Sequence, residues 1–173
     1  MLTVHCTKKL LDELKIDIDK KIISINDPIF SWHSHLFTFN RKKCVIVMNN
    51  KTRFNFVLVG LKKADLLKFD SLIVNEIKNN LLAEKIDEAV IDRYLQVCSV
   101  VIYKTSSDRS ILSQINEMKR SIEYVFNKNK VDGVETDIYE LNRWLNRFVM
   151  LKLPKLYSGE TMRDELMELF SKE

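Results

Sequence analysis

Glycine and proline are scarce in this chain, with three and two among 173 residues. Flexible linkers are rich in glycine, serine or proline, so the composition predicts a single domain over residues 1–173. Within it, residues 150–173 are predicted to form a C-terminal extension that ends in an acidic helix. The same scarcity excludes a glycine-rich phosphate loop, because close approach of a backbone to phosphate needs glycine.

Other features are missing as well. Cys6, Cys44 and Cys98 are odd in number and widely spaced, which predicts free thiols rather than a disulfide framework. The absence of a signal peptide and of any long apolar run predicts a cytoplasmic protein that makes no membrane contact. There is no Gly-x-Ser-x-Gly motif and no cysteine with a histidine at a recognisable spacing. We therefore predict no catalytic residue, no cofactor and no metal.

Charge is unevenly distributed along the chain. The net charge is +4, but residues 160–173 hold five acids and two bases, which leaves the preceding body with 26 bases against 19 acids. A basic body with an acidic tail is consistent with nucleic-acid contact. A sequence pI near 8.9 is below the value above about 9 that is typical of a dedicated nucleic-acid-binding domain. Charge therefore allows a nucleic-acid partner without requiring one.

The stretch from Ser31 to Gly60 predicts a three-stranded antiparallel meander, because aromatic and β-branched residues fill three short runs separated by polar turns. We expect Phe37 to lie opposite Ile46 in the first hairpin. A three-residue second loop, residues 49–51, would bring the strand from Phe54 to Leu58 into phase with the first two. One buried face is then predicted to contain Phe37, Phe39, Cys44, Ile46, Met48, Phe54, Phe56 and Leu58. The other face, with Leu36, Val45, Val47, Val57 and Val59, is apolar too, so helices should cover both.

The rest of the chain is mostly amphipathic helix. The clearest helix is predicted over residues 108–126, where Ile111, Ile115, Met118 and Ile122 recur at spacings of four and three. Short strands are predicted at residues 2–6 and 99–104, and extended structure between residues 15 and 31. Strands come early and helices late, which predicts an α+β fold with a central antiparallel sheet of about five strands: the meander, the N-terminal strand and the later strand.

His33 and His35 are two residues apart on a predicted strand, so their imidazoles should point to one side, as a metal pair requires. A metal site needs a third ligand, and His5 could supply one only if the first strand neighbours the meander. A histidine in a partly buried polar position is the more common arrangement. We therefore predict no metal site.

Two polar turns are the best candidates for a binding site. The turn at residues 40–43 is basic, and loops on a rigid sheet commonly hold phosphate. The hydroxyl-rich turn at residues 105–110 precedes the long helix, where backbone N–H groups and Arg109 suit an anion, although N-capping also explains its serines and aspartate. If the two turns meet, Arg41 and Arg109 flank one helix N-terminus. The candidate anion- or partner-binding residues are Asn40, Arg41, Lys43, Ser107, Arg109, Ser110 and Asn116.

Four motifs resemble those of an uncharacterised bacterial family, a domain of unknown function met in small stand-alone proteins of bacteria and their mobile elements. They are Cys-Thr-Lys-Lys-Leu (6–10), Trp-His-x-x-Leu (32–36), Asn-Arg-Lys-Lys (40–43) and Arg-Ser-Ile-Leu-x-x-Ile-Asn (109–116). The resemblance extends to about Pro154. The family has a glycine and Met-Asn-Asp where this chain has Ser113 and Ile115-Asn116-Glu117, so no role tied to that glycine or aspartate is carried over. The resemblance implies no activity.

Two functions follow as hypotheses. The first is a non-catalytic cytoplasmic binding or regulatory protein, from a phage, plasmid or defence locus, with a protein partner preferred and nucleic acid as the second choice. The alternative is a small nucleic-acid-acting enzyme, such as a nuclease or toxin, that uses these polar residues with a histidine as proton carrier. An enzyme needs the residues in one pocket, whereas a binding protein can spread them over a surface.

Overall fold

The computed structural model describes residues 1–18 and 27–170. Of the extended structure predicted between residues 15 and 31, residues 19–26 lie outside the described ranges, and the described residues Pro28–Phe30 form a short 3₁₀ helix instead of a strand. Five strands are β1 (Leu2–Cys6), β2 (Ser31–Phe39), β3 (Lys42–Asn49), β4 (Asn55–Leu61) and β5 (Val101–Thr105). Seven α-helices in the described residues are α1 (Lys8–Leu14), α2 (Lys63–Leu67), α3 (Phe69–Ala83), α4 (Glu88–Val97), α5 (Arg109–Asp132), α6 (Ile138–Leu145) and α7 (Ser158–Phe170).

The strands form one sheet in the order β4-β3-β2-β1-β5. Strands β2, β3 and β4 are antiparallel neighbours, whereas β1 runs parallel to both β2 and β5. The prediction of an antiparallel sheet is therefore wrong for this half of the molecule, and the sheet is mixed. Helices separate β1 from β2 and β4 from β5, and such crossovers allow the parallel pairings that a tight turn cannot make. The broader prediction of an α+β fold is confirmed.

The first hairpin turns one residue earlier than predicted. Asn40 and Arg41 both have positive φ, of 47° and 63°, which makes them the two central residues of a tight turn. Phe37 consequently pairs with Cys44 instead of Ile46. A shift of two residues along the partner strand leaves the side chains on their predicted faces.

The second loop is where the predicted faces fail. Asn49 donates its N–H to the Phe54 carbonyl, so four residues separate them instead of three. The Asn49 Oδ1 accepts hydrogen bonds from the N–H groups of Lys51 and Thr52, and Arg53 takes a positive φ of 60°. The even loop puts Phe54, Phe56 and Leu58 on the face opposite Phe37, and Val57 and Val59 on the same face as Phe37.

Helices cover both faces of the sheet, as predicted. One core contains Trp32, Phe54 and Phe56 beneath α1, α3, α4 and α7, including Met162 and Leu166 of the acidic C-terminal helix. The other contains Phe37, Cys44, Ile46 and Met48 beneath α5 and α6. The cysteines are free and buried, and burial raises the pKa of Cys6 and Cys98 to about 12. No helix in the described ranges combines the length and apolar character needed to cross a membrane.

The outer edge of β4 is closed by the side chains of Asn142, in α6, and Asn146, the residue that caps the C-terminus of α6. Asn146 Oδ1 accepts from the Asn55 N–H at 2.8 Å, and Asn142 Oδ1 accepts from the Val57 N–H at 2.9 Å. Both asparagines are almost fully buried. In the helical pattern these asparagines lie beside Arg143 and Arg147 on a face that looks polar and solvent-exposed, but the structure buries both of them against β4. Their amides satisfy backbone groups that an edge strand otherwise leaves unpaired.

Candidate functional site

Helix α5 links the two turns that the sequence singled out. Its start is capped by Asp108, whose Oδ1 accepts from the N–H groups of Ser110 and Ile111 at 2.9 and 3.1 Å. Its far half reaches the first hairpin, where the Phe126 and Phe39 rings lie 5.2 Å apart. Asn40 follows Phe39 directly, so the basic hairpin turn sits beside this second half of the helix.

The two turns do not form one site. The helix from Arg109 to Phe126 spans about 26 Å at 1.5 Å per residue. Arg41 therefore cannot flank the N-terminus of α5 together with Arg109, and the predicted convergence is wrong. The prediction assumed that both turns lie at the N-terminus of α5, whereas α5 runs along the sheet from one turn towards the other. The serine-rich turn is at the start of the helix and the hairpin turn is near its end.

The individual candidate residues fall into three groups. The Lys43 side chain lies on the face of the sheet opposite α5, where its Nζ is 2.6 Å from Oε2 of Glu13 in α1. Asn40 and Arg41 are exposed at the hairpin turn. Ser107 is exposed in the turn that precedes α5, and Arg109, Ser110 and Asn116 are exposed along the first half of the helix.

Arg109 and Asn116 belong to a longer surface that we name the outer stripe of α5. Its members recur at spacings of three and four residues, opposite the buried stripe of the same helix, and every one is exposed. Tyr124 and Val131 are 66% and 86% exposed. No member carries a negative charge. The outer stripe consists of Arg109, Ser113, Asn116, Arg120, Tyr124, Asn127 and Val131.

A cluster of three histidines lies beneath the first turns of α5. The sequence predicted that His5 could approach the other two only if β1 neighbours the meander, and the structure shows that it does. His5 is the register partner of His33 in the parallel pair β1–β2, and their rings stack at 4.8 Å with 8° between planes. His35 is on the same face because side chains alternate along a strand. All three histidines of the chain therefore share this face of the sheet.

Burial keeps these imidazoles neutral near pH 7. Desolvation, with His33 and Lys104 nearby, lowers the pKa of His5 to about 4, against opposing contributions from a Thr105 backbone hydrogen bond and Asp108. Burial also lowers the pKa of His33, although a hydrogen bond to Asn50 opposes this. The His33 Nδ1 lies 2.7 Å from Asn50 Oδ1, so Nδ1 is the donor and Nε2 the acceptor. That Nε2 is buried and makes no hydrogen bond within the described residues.

The geometry of the cluster does not suit a metal. Imidazole lone pairs lie in the ring plane, so two stacked rings direct them along parallel lines and not towards a common ion. In residues 1–18 and 27–170 no group of three His, Cys, Asp or Glu side chains is arranged to hold a metal ion. His33 itself cannot contact a large substrate, because its side chain is only 2% exposed.

The cluster makes stability depend on pH, and His5→Gln should reveal it. The folded pKa of His5, about 4, is below the unfolded value of 6.5, so the unfolded chain takes up the proton first as pH falls. Stability is therefore lost between pH 6.5 and 4. At about 1.4 kcal/mol per pKa unit, and with a discount for the partial exposure of His5, its share is about 1–2 kcal/mol.

Urea unfolding of parent and His5→Gln at about pH 7 and about pH 4.5 measures this share. The variant should lose less stability on acidification than the parent by that amount. Lys152→Gln, which replaces an exposed lysine and leaves the histidine cluster unchanged, is the control. Equal losses in parent and His5→Gln would contradict the assignment.

These observations define a class of protein: an α+β protein with a mixed five-stranded sheet, a buried histidine cluster and one long helix whose outer stripe carries no acid. A family model described as a domain of unknown function, DUF6933, matches residues 3–159. The chain therefore belongs to the DUF6933 family. No curated protein and no solved structure is significantly similar to it.

Proposed function

We propose that this protein is a non-catalytic cytoplasmic binding module that contacts a nucleic acid through the outer stripe of α5. The observation that carries the proposal is the absence of any acid among seven exposed residues on a chain in which 24 of 173 residues are acidic. Arg109 and Arg120 make no ion pair with any residue in the described ranges, so their guanidinium groups are available to a ligand.

The chemistry of the outer stripe matches a phosphate backbone. Arginine forks bind phosphate oxygens in pairs, and asparagine and serine add neutral hydrogen bonds. Tyr124 offers a ring on which an unpaired base can stack. From Arg109 to Val131 the outer stripe runs about 33 Å, long enough to follow several successive phosphates.

Two other functions, binding of a protein partner and catalysis on a nucleic acid, are supported less well. A protein partner usually requires an interface centre rich in apolar and aromatic residues, and the outer stripe offers only Tyr124 and Val131. The enzyme alternative needs a histidine within reach of a phosphodiester, and the acceptor Nε2 of His33 is buried. An origin in a phage, plasmid or defence locus remains part of this proposal.

Replacing both arginines tests the proposal. Arg109→Ala with Arg120→Ala should weaken binding of a fluorescein-labelled single-stranded RNA or DNA 20-mer by tenfold or more, about 1.4 kcal/mol. For a single strand, the slope of log K against log salt should fall by about 0.7 for each phosphate that the variant no longer neutralises. The melting temperature should change little because exposed charges contribute little to stability. Fluorescence anisotropy at several salt concentrations measures the affinity and the slope.

The matched control is Lys63→Ala with Lys68→Ala, which removes the same charge from the start of α2 and from the residue that caps its end, on the opposite face of the sheet. Control affinity within about twofold of the parent supports a located site. Equal weakening in both double variants would mean that net charge alone attracts the polymer, which would overturn the proposal. No binding by the parent at low salt would overturn it as well.

A further inference from the structure

A cavity lies beside the C-terminal half of α5, on a different side of the helix from the outer stripe. It is enclosed by the first hairpin, by α5 around Phe126 and Lys130, and by the connection into α6, and its volume is about 410 Å³. Sites for small molecules typically measure about 300 to 1,000 Å³. The space is therefore sufficient for a ligand of one or two fused rings.

The walls of this cavity are apolar side chains that the fold covers only in part. Phe39, Val59 and Ile138 each pack against the α5-side core, yet each remains partly exposed where it faces the cavity. The Phe126 ring is tilted 52° to the Phe39 ring, which leaves an aromatic corner. A flat apolar body placed there would bury surface that the protein itself leaves open to water.

The polar lining is asymmetric in charge. Lys42 and Lys130 both line the cavity, and neither forms an ion pair with a residue in the described ranges. Glu135 is the one acid among the described lining residues, so the lining carries a net charge of +1. Cys44 adds no charge, because burial raises the pKa of its thiol. A single negative charge on the ligand would balance this lining.

We propose that this cavity binds a small aromatic or polycyclic acid, with the apolar body against Phe39, Val59 and Phe126 and the acid group between Lys42 and Lys130. Asn40 and Thr136, which also line the cavity, supply further hydrogen-bonding groups. This proposal stands independently of the one for the outer stripe, which uses different residues.

The test uses two probes of nearly equal shape, 2-naphthoate and the neutral 2-naphthalenemethanol. Titrations followed by ¹⁵N–¹H correlation spectra of the full chain should show naphthoate binding with a Kd of about 1 mM or tighter. The shifted amides should be those of residues 39–44, 59 and 134–138. The neutral alcohol should bind at the same place at least threefold more weakly.

Three variants make the result decisive. Lys42→Gln with Lys130→Gln should weaken naphthoate about tenfold and leave the alcohol unchanged, whereas the control pair Lys8→Gln with Lys9→Gln, on α1, should change neither. Val59→Trp should block both probes by filling the cavity. Naphthoate shifts located elsewhere, no saturable shifts at the solubility limit, or equal affinity in the lysine variants would each overturn the proposal.

Discussion

Replacing Asn146 with alanine is expected to lower the free energy of unfolding by about 2–4 kcal/mol. The Asn146 Oδ1 accepts from the Asn55 N–H and the Ser158 hydroxyl, both at 2.8 Å. Its Nδ2 donates to the carbonyls of Asn55 and Asn142 at 2.7 and 2.8 Å. Alanine makes none of these bonds. Because the site is buried, the backbone groups of Asn55 and Asn142 and the Ser158 hydroxyl cannot form hydrogen bonds with bulk water instead.

Chemical denaturation of Asn146→Ala against Asn127→Ala measures the effect. Asn127 is an exposed helical asparagine, so its replacement changes side chain and propensity without breaking a buried network. Asn146→Asp is the sharper variant, since it keeps the Oδ1 acceptor and loses the two Nδ2 donors. If Asn146→Ala costs no more than Asn127→Ala, the side chain does not close the strand edge.

Phe56→Ala is expected to cost about 3–5 kcal/mol, the usual range for truncating a fully buried phenylalanine. Phe56 is 0% exposed, and its ring centroid lies 6.0 Å from that of Trp32. The cavity left behind cannot close easily, because Trp32 is itself held by a hydrogen bond from its Nε1 to the Tyr94 hydroxyl at 3.0 Å. Thermal and urea unfolding of the variant check the magnitude.

A double-mutant cycle then tests which face Phe56 occupies. Phe56→Ala combined with Trp32→Phe should show a coupling of about 0.5–3 kcal/mol, as residues in contact do. Phe56→Ala combined with Met48→Leu should be nearly additive, because Met48 lies in the core on the other side of the sheet. The reverse pattern would restore the arrangement in which Phe56 shares a face with Phe37.

Local patterns were sufficient for much of the fold. The buried stripe of α5 follows from the spacing of Ile111, Ile115, Met118 and Ile122, and the cap of α4 from Asp87, whose Oδ1 accepts from Ala89 N–H at 2.9 Å. These features depend on residues a few positions apart, so short-range spacing determines them.

Long-range pairing accounts for what the sequence could not predict. One additional residue in the second loop reversed the face of Phe54, Phe56 and Leu58, and that count depends on how Asn49 folds over its own loop. The parallel position of β1 between β2 and β5 depends on contacts separated by up to about a hundred residues. Asn142 and Asn146 look like surface residues in the helical pattern because their partner is the backbone of β4.

The candidate site shows the same division. Arg109 and Asn116 were singled out by the turn and helix start in which they occur, and both are on the outer stripe. The prediction that they lie close to Arg41 is wrong, because it depended on the direction in which α5 crosses the sheet, and local sequence does not determine that direction. No local sequence pattern indicates that His5 stacks on His33, because the contact arises from the parallel pairing of β1 with β2. The cavity beside the hairpin joins residues 39–44 with residues 126–138 and was likewise unpredictable.

The closing of β4 by α6 also has a consequence for the order of biosynthesis. Asn55 precedes Asn146 by 91 residues, so the strand edge is made long before the helix that closes it. At a synthesis rate of about 5–20 residues per second, the edge stays open for roughly 5–18 seconds on the ribosome. A nascent chain in that interval presents a hydrogen-bonding edge to neighbouring nascent chains on the same messenger. Premature release before residue 138 would make that exposure permanent, and truncated products should therefore aggregate while the full chain does not.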